Sequence, residues 1–269
     1  MDGHPQWLKN VSHIVWDLDG TLYAGDEHYR EFARRFSAWV DPDLRPEFLA
    51  ECEAILAGRH ELRPGRVVEF HRGLWREDAA GRQGPLPVRK RLVLPAQPEV
   101  PVVLADPWAA IRTLARGYGV DPETTGISFA DCRLLLMEDG FPLGPVPGLR
   151  EEIERLSDRV KMALVSNATA QHTETTLRRL GLAGRFDPVR PEAGKPQGLE
   201  QVLADWFVGD PHATGLVGIG DKYDLDLAPV RAVGGHTIQI NPWHVEGTGA
   251  DLLLRDHGRL VELLRHVAP

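Results

Sequence analysis

The chain predicts an α/β fold, a doubly wound parallel sheet whose first strand is separated from the others by a mainly helical insertion. Three observations predict it. Short apolar runs occur at four places, three of them ending on polar or acidic residues, amphipathic segments lie between the later runs, and residues 24–144 show helical spacing with few strand signals. Strands that alternate with helices imply a parallel sheet, because parallel neighbours need a crossover and the crossover is usually helical.

The first strand is read in residues 11–23, VSHIVWDLDGTLY. Ile14, Val15 and Trp16 are too few for a helix, and the Asp19-Gly20 pair closes the run as a turn. The strand therefore ends at Asp17 or just beyond. A second strand spans Lys161–Val165, followed by Ser166 and Asn167. A third is Gly215–Ile219, running into Gly220-Asp221, and a weaker fourth is His236–Ile240. Between them, Glu151–Leu156, Thr173–Leu180 and Leu199–Phe207 have helical spacing, the second stopping at Gly181 as a C-terminal glycine dictates. Ligands bind at the carboxyl ends of strands in such sheets, where these polar endings collect.

Within the insertion, Tyr29–Val40, Glu47–Ala57, Arg66–Trp75 and Trp108–Arg116 carry helix-like apolar spacing. GRQGPLPVRKRLVLPAQPEVP, residues 81–101, is rich in proline and positive charge and reads as an extended connector. A β-ribbon through Arg91–Leu94 is the less favoured alternative. The expected division is residues 1–23 and 145–269 as the α/β core and 24–144 as the helical domain. No internal repeat or low-complexity tract interrupts this reading.

Composition narrows the function classes. The chain has 269 residues, 42% hydrophobic and 26% charged, and a net charge of -8. That acidic balance argues against non-specific nucleic-acid binding and against an anionic membrane surface as partner. Cys52 and Cys132 lie far apart, without metal-like spacing, so a reduced cytoplasmic compartment is expected. The first residues, MDGHPQWLKN, lack the apolar region of a signal peptide, and no run is long enough to span a membrane.

The chemistry is carried by the strand endings. Asp17 and Asp19, two apart where a strand curls into a turn, can bring two carboxylates over one site. Such a pair can supply a nucleophile for phosphorus and an acid that protonates the leaving oxygen and later activates water. A plain turn and helix cap is the alternative. The Ser166 hydroxyl and neighbouring amides can bind a phosphoryl oxygen, or Ser166 can merely cap a helix. Lys195 in Gly-Lys-Pro offers a point charge, its alternative being a solvated loop lysine. Asp221 and Asp226, at a third strand end, add the hard oxygen ligands that suit Mg2+. Asp224 fits a surface acidic turn.

In this order the four segments resemble the motifs of the haloacid dehalogenase (HAD) superfamily: Asp-x-Asp-x-Thr, a Ser or Thr ending a strand, a Lys, and Gly-Asp followed by a second acidic residue. The resemblance covers residues 11–23 and about 145–269, and is specific as a set. It implies a Rossmann-like core and a mainly helical cap inserted after the first motif. It further implies Asp17 as nucleophile and Mg2+ ligand. Asp19 becomes the general acid/base with its carbonyl on the metal. Ser166 and Lys195 become phosphate contacts, Lys195 also restraining Asp17. Asp221 becomes a metal ligand, and Asp226 a ligand or its support. Thr21 supports the turn and, with Asn167, completes the substrate-binding set. An acid at Asp19 points to phosphate chemistry, since a departing halide needs no proton.

The implied function is a Mg2+-dependent phosphatase for a small phosphorylated metabolite. A phosphomutase of the same superfamily and a catalytically silent HAD-like binding module are the alternatives. A phosphonate-cleaving relative would need a lysine in the cap, and Lys90, in an Arg-rich loop, is a poor candidate. The segment FVGDPHATG before Asp221 is longer than many family members show. Specificity is expected from the cap, where Arg59, His60, Arg63, His71, Arg72 and Trp75 are either substrate contacts or solvated faces. Tyr29, Phe32, Phe36 and Trp39 are expected to be cap core.

Overall fold

The structure is a computed structural model that describes residues 4–77, 81–207, 215–243 and 249–267. The extra residues of FVGDPHATG beyond Phe207 lie outside the described residues, up to Gly215. Two compact units emerge. One takes residues 4–25, 136–242 and 249–267, and the other takes 26–135 with 243, within those described residues.

In chain order, β1 (His13–Trp16) opens the first unit. The second unit follows with α1 (Glu27–Ser37), α2 (Arg45–Leu56), β2 (Arg66–Glu69), β3 (Leu74–Glu77), β4 (Gln83–Pro85), β5 (Val102–Val103), α3 (Pro107–Gly117) and α4 (Phe129–Leu134). The chain then returns to the first unit with α5 (Leu149–Leu156), β6 (Lys161–Val165), α6 (Ala170–Arg179), β7 (Val189–Arg190) and α7 (Gln197–Trp206). The last elements are β8 (Leu216–Gly220), α8 (Ala228–Ala232), β9 (His236–Ile240), β10 (Leu252–Leu254) and α9 (His257–Leu264). Among the described residues, no helix is long and apolar enough to cross a membrane.

The first unit is the doubly wound parallel sheet, ordered β10-β9-β8-β1-β6-β7. Its five pairings are all parallel. Side chains alternate across the sheet as period two requires. Ile14, Trp16, Met162, Leu164, Val217 and Ile219 pack on one face with Leu149, Ile153 and Leu156 of α5 and Leu260 and Leu264 of α9. Val15, Ala163, Val165 and Leu216 pack on the other with Leu199, Val202 and Leu203 of α7 and Val230 of α8. Residues 136–144, assigned to the insertion on sequence, belong to this unit. Leu136 and Leu143 are buried in its core, and the Arg179 guanidinium donates to the carbonyls of Leu136 and Phe141.

The second unit is mainly helical: α1 and α2 begin two residues before the expected bounds and end three and one residues short of them, and α3 extends one residue at each end. It also holds a four-stranded antiparallel sheet, β4-β3-β2-β5. The expected helix at Arg66–Trp75 is instead a hairpin of β2 and β3, joined by a short 3-10 turn at Phe70–Arg72. Two features override the helical spacing. Val67 and Val68 are β-branched and fully paired, and Gly73 takes a left-handed conformation (φ 64°) that turns the chain back. Residues 81–101 are largely the extended connector expected, with Gln83–Pro85 adding to β3. No ribbon forms through Arg91–Leu94, and Arg91 makes a single bridge to Tyr118 instead.

Phe32 and Phe36 are core residues, but Trp39 is 57% exposed, contrary to expectation. Trp75 is core too, with the Arg66 guanidinium 3.6 Å over its ring, so it presents no free face to a substrate.

Candidate active site

The strand register brings the sequence motifs together. Trp16 sits opposite Leu164 on β6 and Ile219 on β8, so Asp17 emerges level with the ends of both neighbours. The Asp17 amide donates to the Ile219 carbonyl at 2.9 Å, pinning the strand end to β8. Ser166 and Asp221 begin the loops beside it. β1 lies where the strand order reverses, which is where open α/β sheets place their ligands.

The turn after Asp17 is held locally. Leu22 donates its amide to the Leu18 carbonyl, and Thr21, fully buried, donates its hydroxyl to Asp17 Oδ2 at 3.1 Å. That engages the single hydroxyl proton of Thr21 on the carboxylate. Gly20 (φ 80°) has a conformation that disfavours a side chain, and a Cβ there would reach 3.1 Å from the Asp221 carboxylate. The first and last motifs therefore touch through a glycine.

Lys195 is the hub. Its ammonium lies 2.6 Å from Asp17 Oδ1 and 2.5 Å from Asp226 Oδ1, with all three side chains nearly buried. Asn167, exposed, accepts the Lys195 amide on its Oδ1 at 2.7 Å, so it fixes the lysine backbone. Asp226 Oδ2 accepts the Lys222 amide at 2.9 Å. Asp226 sits on a π-helical turn, Tyr223–Leu227, which leads into α8. The Gln239 side chain donates to the Asp221 carbonyl at 2.8 Å. Asp224 is exposed.

Asp17, Asp221 and Asp226 each offer a carboxylate oxygen within 4.8 Å of the others. Burial pushes the Asp17 carboxyl up to about 6; Lys195 opposes this and the neighbouring Asp226 and Asp19 add to it. Burial likewise raises Asp221 well above the usual carboxylate range, with Lys222 opposing and Asp17 and Asp226 adding. Burial also works against the Lys195 charge, but Asp17 and Asp226 outweigh it and hold the ammonium above its ordinary value. Three hard oxygen donors crowded around one buried ammonium are under-neutralised, and a small divalent cation fits that donor set.

Ser166 is buried, and its Oγ accepts the Ala168 amide at 3.0 Å. Asp19 stands apart from the carboxylate cluster: its Oδ1 lies 2.6 Å from the Tyr23 hydroxyl and 3.0 Å from His172 Nε2. Sequence reasoning missed Tyr23, His172 and Gln239. His172 was within reach of it. Thr169 caps α6 by accepting the His172 amide at 3.2 Å, and a threonine just before a helical run is a helix-start signal that places His172 in the first turn, at the strand ends.

Of the residues singled out in the insertion, His60 is buried with its Nδ1 accepting the Leu62 amide. Arg63 pairs with Glu77 at 2.6 Å and Arg72 with Glu69 at 2.8 Å. Lys90 pairs with Asp41 at 3.0 Å. Arg59 is exposed, and His71 Nδ1 lies 3.3 Å from the Pro98 carbonyl.

The family model for haloacid dehalogenase-like hydrolases matches residues 11–234. A search of curated proteins returns no match. Among solved structures, the HAD-hydrolase YfnB from Bacillus subtilis, bound to magnesium and described as showing interdomain movement, superposes with a TM-score of 0.53 at 15% identity, over 96% of this chain and 100% of that one. A protein described as a β-phosphoglucomutase from Thermotoga maritima gives 0.53 at 16% identity, over 96% and 100%. One described as a phosphatase from Clostridium difficile gives 0.51 at 11% identity, over 95% and 99%. At these identities the likeness establishes the fold, and the chemistry rests on the residues.

Proposed function

The chain belongs to the haloacid dehalogenase-like hydrolase family, and from that premise we propose that it is a Mg2+-dependent phosphatase, hydrolysing a small-molecule phosphate monoester through an aspartyl-phosphate on Asp17. The observation that carries this reading is the Lys195 ammonium seated between Asp17 and Asp226 beside Asp221. Lys195 holds Asp17 Oδ1 in place, and Thr21 holds Oδ2. Both oxygens of the nucleophile are thus oriented before a substrate arrives, which removes reorganisation from the reaction.

Asp17 attacks phosphorus, the bond from phosphorus to the ester oxygen breaks, and Asp19 gives that oxygen its proton. Asp19 then takes a proton from water, whose oxygen attacks phosphorus. The bond to Asp17 breaks and inorganic phosphate leaves. Lys195, together with Ser166 and the amides around it, binds the phosphoryl oxygens. Mg2+, held by Asp17, Asp221 and Asp226 and by the Asp19 carbonyl, supplies neutralising charge for the phosphoryl group when bound. An acid at Asp19 separates this chemistry from displacement of halide, for which no proton donor is needed. The mainly helical insertion, residues 24–144 on sequence, serves as the cap that selects the alcohol, because the residues above recognise only phosphoryl and metal.

The test is a phosphate-release screen over a panel of metabolite phosphates with Mg2+ or EDTA, with Asp17→Asn alongside. The expected outcome is release that needs Mg2+ and falls by at least about a thousandfold in the variant. Isomer formation with little free phosphate would identify a mutase. Equal behaviour of wild type and variant on every ester would overturn the proposal.

A further inference from the structure

Two side chains from the last elements of the sheet unit reach the turn after Asp17 and the loop that begins at Asp221, and neither belongs to the four motifs. Gln239, buried on β9 opposite Gly220 of β8, donates its Nε2 to the Asp221 carbonyl at 2.8 Å. His257, half-buried as the first residue of α9, lies with Nε2 3.1 Å from the Gly20 carbonyl. A carbonyl only accepts, so His257 carries a proton on that nitrogen. The two segments abut where these donors act: a Cβ on Gly20 would stand 3.1 Å from Asp221 Oδ2. Gly20 also has the widest backbone freedom in its turn, and a donor on its carbonyl restrains the peptide most able to rotate.

Packing alone does not account for Gln239. Its Oε1 is buried and has no hydrogen-bond partner among the described residues. An unpaired buried amide oxygen costs stability that an apolar side chain of similar length avoids. What the glutamine contributes is its N–H on Asp221. The elements that carry both donors are firm. β9 is paired on both sides, to β8 and β10. Asp256 caps α9 by accepting the Arg259 amide at 2.9 Å, and Leu260 and Leu264 of that helix are buried in the core.

We propose that Gln239 and His257 are positioning residues that clamp the Asp221 loop and the Gly20 turn against each other, and so set the spacing of Asp17 and Asp221 for a divalent cation. The inference rests on the Mg2+ site of the phosphatase reading. Neither residue is a ligand. Each acts through a backbone carbonyl, and the carboxylates so spaced hold the ion. Hard donors fixed at their spacing before the ion arrives bind it more tightly, since Mg2+ tolerates little departure from octahedral geometry.

Isothermal titration with Mg2+ alone measures Kd for wild type, Gln239→Met, His257→Phe and His257→Gln, with Asp221→Asn as the lost-ligand reference. Each protein is titrated well below its melt in EDTA, so that Kd reads the folded state. Kd is expected to rise about tenfold in Gln239→Met, which keeps the stem and loses the donor, and in His257→Phe, which keeps a ring. His257→Gln, whose amide nitrogen reaches about as far as Nε2, is expected to return Kd close to wild type. A residue that served stability alone would lower the melt and leave Kd of the folded protein where it was. His257→Phe replaces a half-buried side chain at a helix start, so it reads the effect even where Gln239→Met fails to fold. Kd unchanged in either folded variant, or as weak in His257→Gln as in His257→Phe, overturns the proposal. Wild type that takes up no Mg2+, or binds it no more tightly than Asp221→Asn, shows instead that the metal reading has failed and takes this inference with it.

Discussion

Carboxylates in the insertion and carboxylates at the strand ends of the parallel sheet are both drawn out of water, but their partners differ. Glu77 accepts from Arg63 and Arg66 at 2.6 Å and from Arg82 at 2.7 Å. Glu69 accepts from Arg72 and Arg76 at 2.8 Å, and Glu51 accepts from the Tyr118 hydroxyl at 2.6 Å and from Arg89. Burial pushes Glu51 up, yet the His60 ring 3.7 Å away and the hydrogen bonds from Tyr118 and Arg89 outweigh it and hold the carboxyl down at about 2. The Arg76 and Arg72 donors hold Glu69 below its ordinary value. At the strand ends, by contrast, Asp17 and Asp221 are held above theirs, with one buried ammonium among three acids. Over-supplied carboxylates stabilise the unit that contains them. Under-supplied ones are costly to the apo fold and mark a candidate place for a cation.

Removing Lys195 should have the largest effect. Lys195→Met keeps most of the stem but leaves Asp17 and Asp226 buried without their shared partner, a change worth about 3–5 kcal/mol of stability. Phosphate release should fall to background as well. The sign with pH follows from Asp17. A carboxyl raised in the folded state keeps its proton at acid pH, so the variant's deficit is small near pH 5 and grows as pH rises past the folded value. Thermal melts of wild type and variant from pH 5 to 8 measure this. A deficit independent of pH would show that Lys195 contributes packing rather than charge.

Glu51→Gln comes next, with the opposite pH sign. A carboxyl depressed from 4.5 to about 2 contributes stability that is fully present above its unfolded value and is lost as pH falls through its folded value. The full contribution is up to about 3 kcal/mol. The variant should melt several degrees lower at neutral pH and should approach wild type by pH 2–3, in parallel denaturation curves. If it matches wild type at pH 7, Arg89, His60 and Tyr118 find equal partners without the anion.

Much of this arrangement was legible in the sequence, and the reasons for the remainder are physical. The bounds of β6 and β9 follow from aliphatic runs closed by polar residues, and Asp17, Ser166 and Asp221 were placed because strand endings are local signals. That Lys195 meets Asp17 across 178 residues is invisible to any local spacing. It rests on the order of motifs, and the contact itself is a tertiary fact. The hairpin of β2 and β3 was misread because Val67, Phe70 and Trp75 imitate a helical stripe, while the turn at Gly73 is a single-residue signal. His172 was missed because α6 was begun at Thr173, beyond the capping threonine and the first turn it creates.

Asp221→Asn is expected to give the smallest effect and the sharpest test of the contrast. Without metal, the substitution removes one of three crowded acids while sparing the Asp221 carbonyl that accepts from Gln239. Because Asp221 is held above its ordinary value in the fold, its ionisation costs stability at neutral pH, and the neutral amide should recover part of that cost. In EDTA the variant should therefore melt slightly higher than wild type. Adding Mg2+ should reverse the order, since a ligand stabilises only the state that binds it, by about 2.7 kcal/mol at a hundred times its Kd. Wild type then rises and the variant rises less. A variant that melts lower than wild type in EDTA would place Asp221 with Glu51 and Glu77, as a carboxylate the fold already satisfies, and the distinction between the two networks would be lost.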